Sequence, residues 1–174
     1  MTPIFRALEL PADVAGRVYL ASMPGRYEHL ADALTEMDRL SIHRIVCLTP
    51  DAEIEDKAPA YRRALEEGSL RRPCDRVEVS DSRAPATGEA FRDVVTRAAG
   101  RLRQGEHVLV HCAGGIGRTG TFAVCLLVTL GWPVQRAREA VARAGSRPES
   151  DEQNAFIRSF ADAVTPIALV DQHG

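Results

Sequence analysis

Residues 108–120 read VLVHCAGGIGRTG. Val108-Leu109-Val110 is short, apolar and mostly β-branched, the profile of a strand buried on both faces in a parallel sheet. His111 and Cys112 follow, then Ala113-Gly114-Gly115-Ile116-Gly117 and Arg118-Thr119-Gly120. A strand that stops, a loop with three glycines and the start of a helix together make an anion site. Glycine lets consecutive backbone N–H groups turn inward, and the helix dipole adds positive potential. The run after Gly120, TFAVCLLVTL from Thr121 to Leu130, is apolar around its whole circumference but too short to span a bilayer, so it predicts a helix packed inside the protein.

The cysteine at the start of the loop decides the chemistry. A thiol among N–H donors at a helix N-terminus, with a guanidinium six residues on, is expected to ionise near neutral pH and become a strong nucleophile. Arg118 presents a planar fork that takes two oxygens of a phosphoryl group at once, which lysine cannot do. A Walker-type nucleotide loop needs Lys next to Ser or Thr after its glycines, whereas here Arg118 precedes Thr119. The residue types therefore predict attack of Cys112 on phosphorus through a phosphocysteine intermediate.

Working outward, strands and helices alternate. Arg17–Met23 and Arg44–Thr49 read as strands, closed by Pro24-Gly25 and Pro50-Asp51, with an amphipathic helix over Tyr27–Leu40 between them. A polar helix at about Ala58–Gly68 looks like a solvated face, and no chemistry is assigned to residues 52–69. Arg76–Ser80 alternates as a third strand with Asp81 just past its end. Thr87 is a suitable N-cap for a helix carrying Phe91, Val94, Val95, Ala98 and Leu102, ended by Gly105. Beyond Gly131-Trp132-Pro133 come an amphipathic helix over Val134–Ala144 and a last one from about Ser150 to Val164. This order predicts an α/β fold: a mainly parallel central sheet flanked by helices, with the phosphate loop between a strand and a buried helix.

At 174 residues, with 45% hydrophobic and 26% charged residues, the chain is expected to hold one domain over residues 17–164, with an N-terminal extension (1–16) and a C-terminal tail (165–174). A formal net charge of −2 gives no electrostatic case for nucleic acid or an anionic membrane. Cys47, Cys74, Cys112 and Cys125 lie far apart without CxxC pairs, and the first residues lack a continuous apolar run, which fits reduced thiols in a cytoplasm. His107 and His111 have a spacing that on a helix would suit one metal ion. On a strand it separates them by about 13 Å at roughly 3.3 Å per residue. No cofactor or metal is therefore expected, and the chain is expected to act as a monomer.

HCAGGIGRTG resembles the H-C-x-x-x-x-x-R-[ST]-G signature of the cysteine-dependent protein tyrosine and dual-specificity phosphatases. The resemblance implies that Cys112 is the nucleophile and Arg118 the phosphate-binding arginine. It makes Ala113–Gly117 the phosphate cradle, Thr119 the hydroxyl that eases thiolate departure, and His111 an indirect tuner of the thiol. In that family the general acid is an aspartate some thirty residues before the cysteine. Asp81 stands 31 residues before Cys112, and Asp81-Ser82-Arg83-Ala84-Pro85 matches the family's D-x-x-x-P. Val79-Ser80 replaces the Trp-Pro of the tyrosine-specific branch and points to the smaller dual-specificity-like branch. VYLASMPG followed by IVCLTPDAE is similar to the opening of kinase-associated phosphatases. Arg147-Pro148 with Gln153-Asn154-Ala155-Phe156 resembles the family's R-P…Q-x-x-F segment, whose glutamine approaches the phosphate site. The second, water-placing glutamine of the tyrosine-specific enzymes has no match.

The resemblance implies a phosphotyrosine phosphatase, extending to phosphoserine and phosphothreonine. Two other functions remain open. A phosphoinositide or inositol-phosphate phosphatase would want lysines inside the loop, and residues 113–117 carry none. A silent phosphopeptide-binding module would not need Cys112, Arg118 and Asp81 together. Sulfurtransferase and arsenate reductase loops do not account for Asp81 and Arg118 at these positions.

Overall fold

The computed structural model describes residues 3–86 and 88–170, with side chains as far as residue 164. Strands β1 (Arg6–Leu8), β2 (Arg17–Ala21), β3 (Arg44–Cys47), β4 (Cys74–Arg76) and β5 (His107–His111) form one sheet in the order β1-β2-β5-β3-β4. β2, β5, β3 and β4 run parallel, and β1 adds an antiparallel edge. Alternation along the strands sends residues to two cores. Val18, Leu20, Val46, Val108, Val110 and Cys112 pack on the side of α4 (Gly88–Arg103), α5 (Gly117–Thr129), α6 (Val134–Arg143) and α7 (Asp151–Val170). Tyr19, Ala21, Ile45, Cys47 and Leu109 pack on the side of α1 (Leu30–Arg39), α2 (Asp51–Lys57) and α3 (Pro59–Glu67). The α/β architecture expected from the sequence is what forms.

The central strand β5 pairs on both sides, Val110 facing Leu20 of β2 and Val46 of β3. That explains why 108–110 reads as continuous apolar sequence. Helix α5 leaves the same loop, and every residue from Gly117 to Val128 is buried. Loop and catalytic candidates thus hang between the central strand of the sheet and a helix buried from Gly117 to Val128.

Several boundaries differ from the sequence expectation. The strand expected at Arg76–Ser80 is Cys74–Arg76, after which the chain leaves the ladder. Val77 and Val79 still donate to the Cys47 and Leu48 carbonyls, at 3.2 and 3.0 Å, which keeps their alternation. The polar helix expected near Ala58–Gly68 forms as α3, with Pro59 as its first residue, and a further helix that the sequence reading lacks, α2, starts directly after Pro50. The buried helix begins at Gly117 rather than Thr121, and the last helix runs on to Val170. Within residues 1–16, Arg6–Leu8 enters the sheet with Phe5 and Leu8 buried, too short a run to announce itself by periodicity. Thr87, the expected N-cap, lies outside the described residues.

Candidate active site

Cys112 follows the last residue of β5 and is 2% exposed. From there the chain turns through Gly115, whose φ of +75° places it in the left-handed region. A Cβ at that position would lie 2.5 Å from the Ala21 carbonyl group, so only glycine fits. The turn brings the Gly115 N–H to 3.2 Å from Cys112 Sγ, a donor aimed at the sulfur. Helix α5 then starts with Ile116 at its N-cap and no side-chain cap, leaving its first N–H groups without the usual oxygen partner. Such an end is built for an anion. Above it lies a polar cavity of about 250 Å³ lined by Cys112, Ala113, Gly114, Ile116, Gly117 and Arg118 from the loop and helix, and by Arg26, Tyr27, Lys57, Asp81 and Glu149 around them.

Arg118 is 3% exposed and held from two directions. Its Nη1 and Nη2 each donate to a Glu53 carboxylate oxygen at 2.9 Å, and Nη1 also donates to the Val79 carbonyl at 2.9 Å. Of five guanidinium N–H groups these bonds occupy three. Among the described residues no hydrogen bond engages Nε, so the Nε–H and the second Nη2–H form a free edge for two oxygens. Burial opposes the Arg118 charge, but Glu53, Cys112 and Asp81 outweigh it and keep the guanidinium firmly protonated. In return the Arg118 hydrogen bonds, opposed by burial and helped by Lys57, hold the Glu53 carboxyl at about 2.

Asp81 is exposed on the loop beyond β4, with Oδ1 3.5 Å from Arg118 Nη2, on the cavity wall. His111 is fully buried behind the loop. Its Nδ1 lies 3.1 Å from the Cys112 carbonyl, which can only accept, so Nδ1 carries a proton, and Nε2 is hydrogen-bonded to the Tyr61 hydroxyl at 2.7 Å. Thr119 Oγ1 is buried without a hydrogen-bond partner among the described residues, one position from Arg118. Gln153, expected near the phosphate, is fully buried and is not among the residues that line the cavity. Its Oε1 accepts from the Glu149 N–H at 2.8 Å and its Nε2 donates to the Arg83 carbonyl at 3.2 Å, so it ties the loop after Arg147 to the Asp81 loop. His107 and His43 are engaged with Leu40 and each other, away from the cavity.

Six contributors escaped the sequence reading. Arg26 and Tyr27 line the cavity from the segment before α1, and Glu53, Lys57 and Tyr61 come from residues 52–69, to which the sequence reading assigns no chemistry. Glu53 and Lys57 also pair with each other at 2.9 Å, the four-residue spacing that gives a sequence signal of a helical ion pair but none of its orientation. Glu149 stands so near Gly117 that a side chain at 117 would meet its carboxylate.

A family model described as Swiss Army Knife protein, DSP-PTPase phosphatase domain, matches residues 14–167. Among solved structures the chain is similar to a kinase-associated phosphatase carrying serine at its catalytic-site cysteine. The two share 18% identity with a TM-score of 0.81, over 95% of this chain and 98% of that one. It is also similar to PTPMT1 in complex with PI(5)P, at 18% identity and TM-score 0.72 over 87% and 94% of the two chains. TpbA of P. aeruginosa in complex with pTyr matches at 21% identity and TM-score 0.62 over 99% of each.

Proposed function

The chain belongs to the DSP-PTPase phosphatase domain family of the Swiss Army Knife proteins, and from that premise we propose that it hydrolyses phosphate monoesters on proteins through a phosphocysteine intermediate. Phosphotyrosine is the first candidate, with phosphoserine and phosphothreonine as further ones. In the first step the Cys112 thiolate attacks phosphorus: a P–S bond forms, the P–O bond to the side chain breaks, and Asp81 gives its proton to the departing oxygen. In the second, water attacks the phosphocysteine, Asp81 takes one of its protons, the P–S bond breaks and inorganic phosphate leaves. The first turn of α5 and the open edge of Arg118 stabilise the equatorial oxygens in both steps, while the Gly115 N–H faces the sulfur. Thr119 serves the returning thiolate, and His111 orients the Cys112 backbone.

The observation that carries this reading is the convergence of Cys112 Sγ, uncapped helix N–H groups and the open edge of Arg118 on one polar cavity. A protein substrate is favoured over a polyphosphorylated inositol by the balance of charge around that cavity. Asp81 and Glu149 face it and Lys57 is already paired with Glu53, which leaves Arg26 as the one cation beside Arg118 on the described wall for a second phosphate. Tyr27, 67% exposed under the Arg26 guanidinium, offers an aromatic face to an aryl ester. Four free cysteines suit a reducing cytoplasm, and no helix among the described residues is long and apolar enough to cross a membrane.

The test is turnover of a phosphopeptide panel alongside phosphoinositides, with Cys112→Ser as control. Phosphotyrosyl peptides are expected to be hydrolysed and Cys112→Ser to bind them without turnover. Vanadate should inhibit, and EDTA should leave the rate unchanged. Preference for the phosphoinositides would move the reading to that class. Failure to hydrolyse even an activated aryl phosphate would reduce the domain to a binding module.

A further inference from the structure

Arg6 lies in β1, ahead of the residues that the family model matches, yet its guanidinium reaches the back of the phosphate loop. Nη2 donates to the Gly115 carbonyl at 2.7 Å, and Nη1 donates to Ser146 Oγ at 3.0 Å and to the Ala144 carbonyl. Ser146, 1% exposed, donates its own hydroxyl to the same Gly115 carbonyl at 2.6 Å. One loop carbonyl is thus held outward by two donors from elements far apart in sequence.

The planar trans peptide turns this into a statement about the other side of the loop. Its C=O and N–H point in opposite directions, so a Gly115 carbonyl fixed toward Arg6 sends the Ile116 N–H the other way, toward the cavity that Ile116 lines. Glycine places little restraint of its own on that plane, since it visits both signs of φ readily. We propose that Arg6 is a positioning residue, which locks the peptide between Gly115 and Ile116 in the orientation that offers the Ile116 N–H to a bound phosphate. The inference rests on reading residues 112–118 as a phosphate cradle and goes beyond it in making the N-terminal strand part of the catalytic apparatus. The charge is held against its surroundings: burial disfavours it, while the Cys112 sulfur nearby favours it.

The experiment compares the full chain with Arg6→Met, Arg6→Lys and Ser146→Ala. Inorganic phosphate is titrated as a protectant of Cys112 against iodoacetamide, with kcat and KM for an activated aryl phosphate alongside. Arg6→Met is expected to weaken phosphate protection and lower kcat/KM by on the order of tenfold or more while the thermal melt stays cooperative. Arg6→Lys, able to make one of the bonds, should recover part of both losses. Ser146→Ala should shift protection in the same direction with Arg6 intact, and it carries the test if Arg6→Met does not fold. Folded variants at position 6 with the protection and kcat/KM of the parent, or Ser146→Ala with unchanged protection when Arg6→Met is unfolded, would overturn the proposal. Because protection needs only phosphate and the thiol, a parent protein that is protected but hydrolyses no phosphopeptide would fail the proposed function and leave this inference standing.

Discussion

Arg118 has five N–H groups, and Glu53 and Val79 together take three of them. Glu53 therefore fixes which edge of the guanidinium is left open toward the cavity. Glu53→Gln keeps the shape but has one acceptor oxygen, and is expected to lower kcat/KM about tenfold, measured on an aryl phosphate. The pH dependence follows from the depressed acidity of Glu53. A carboxyl lowered from 4.5 to about 2 adds stability that is fully present well above 4.5 and is lost as pH falls through about 2. Thermal melts of parent and Glu53→Gln should thus differ most near neutral pH and converge toward pH 2. Asp81 stands exposed on the cavity wall, held among the described residues by the 3.5 Å ion pair to Arg118. Asp81→Asn is expected to cost about a hundredfold with phosphotyrosyl peptides and far less with an activated aryl phosphate, measured as kcat/KM on the two substrates. Asp75, the nearest upstream aspartate, is bound by Arg44 and Arg97 at 3.2 and 3.0 Å, so Asp75→Asn should lower the melting temperature without changing the dependence on leaving group.

At the scale of elements, the strand–loop–helix unit was legible because its constraints are local. A buried strand, glycines that permit the turn and an apolar helix all show in residues 108–130. Gly115 carries the sharpest of these constraints, and Gly115→Ala is expected to cost about 1–3 kcal/mol in a denaturant melt and to abolish activity, since the new methyl meets the Ala21 backbone. What stayed hidden was tertiary. α2 and α3 look like charged surface helices by composition, and nothing in the order DAEIEDK tells that Glu53 turns inward to Arg118 while Glu55 and Asp56 turn to solvent. Tyr61 reads as an ordinary core aromatic until β5 places His111 against its hydroxyl. Gln153 was found by likeness to a motif, yet its amide is consumed in bracing two loops, a use the motif does not express. β4 misregistered because Val77 and Val79 continue the alternation of a strand after leaving its ladder.

For the whole molecule, the placement of β1 has a second effect, independent of Arg6. The sheet's inner parallel strands are four and five residues long, and its two rims, β1 and β4, are three residues each. Without β1 the outer face of β2 would offer the main-chain N–H and C=O groups between Arg17 and Ala21, beside the buried Val18, Tyr19 and Leu20. An open apolar strand of this kind is a template for other chains. Removing residues 1–10 is therefore expected to raise light scattering in a concentration-dependent way, beyond what the loss of Phe5 and Leu8 from the core does to the melting temperature. A folded, non-associating truncation in sedimentation velocity would contradict this. The three residues that finish the sheet thus act as a stopper against polymer growth: the same short ribbon that completes an enzyme withholds from its neighbours the edge on which a fibril would start.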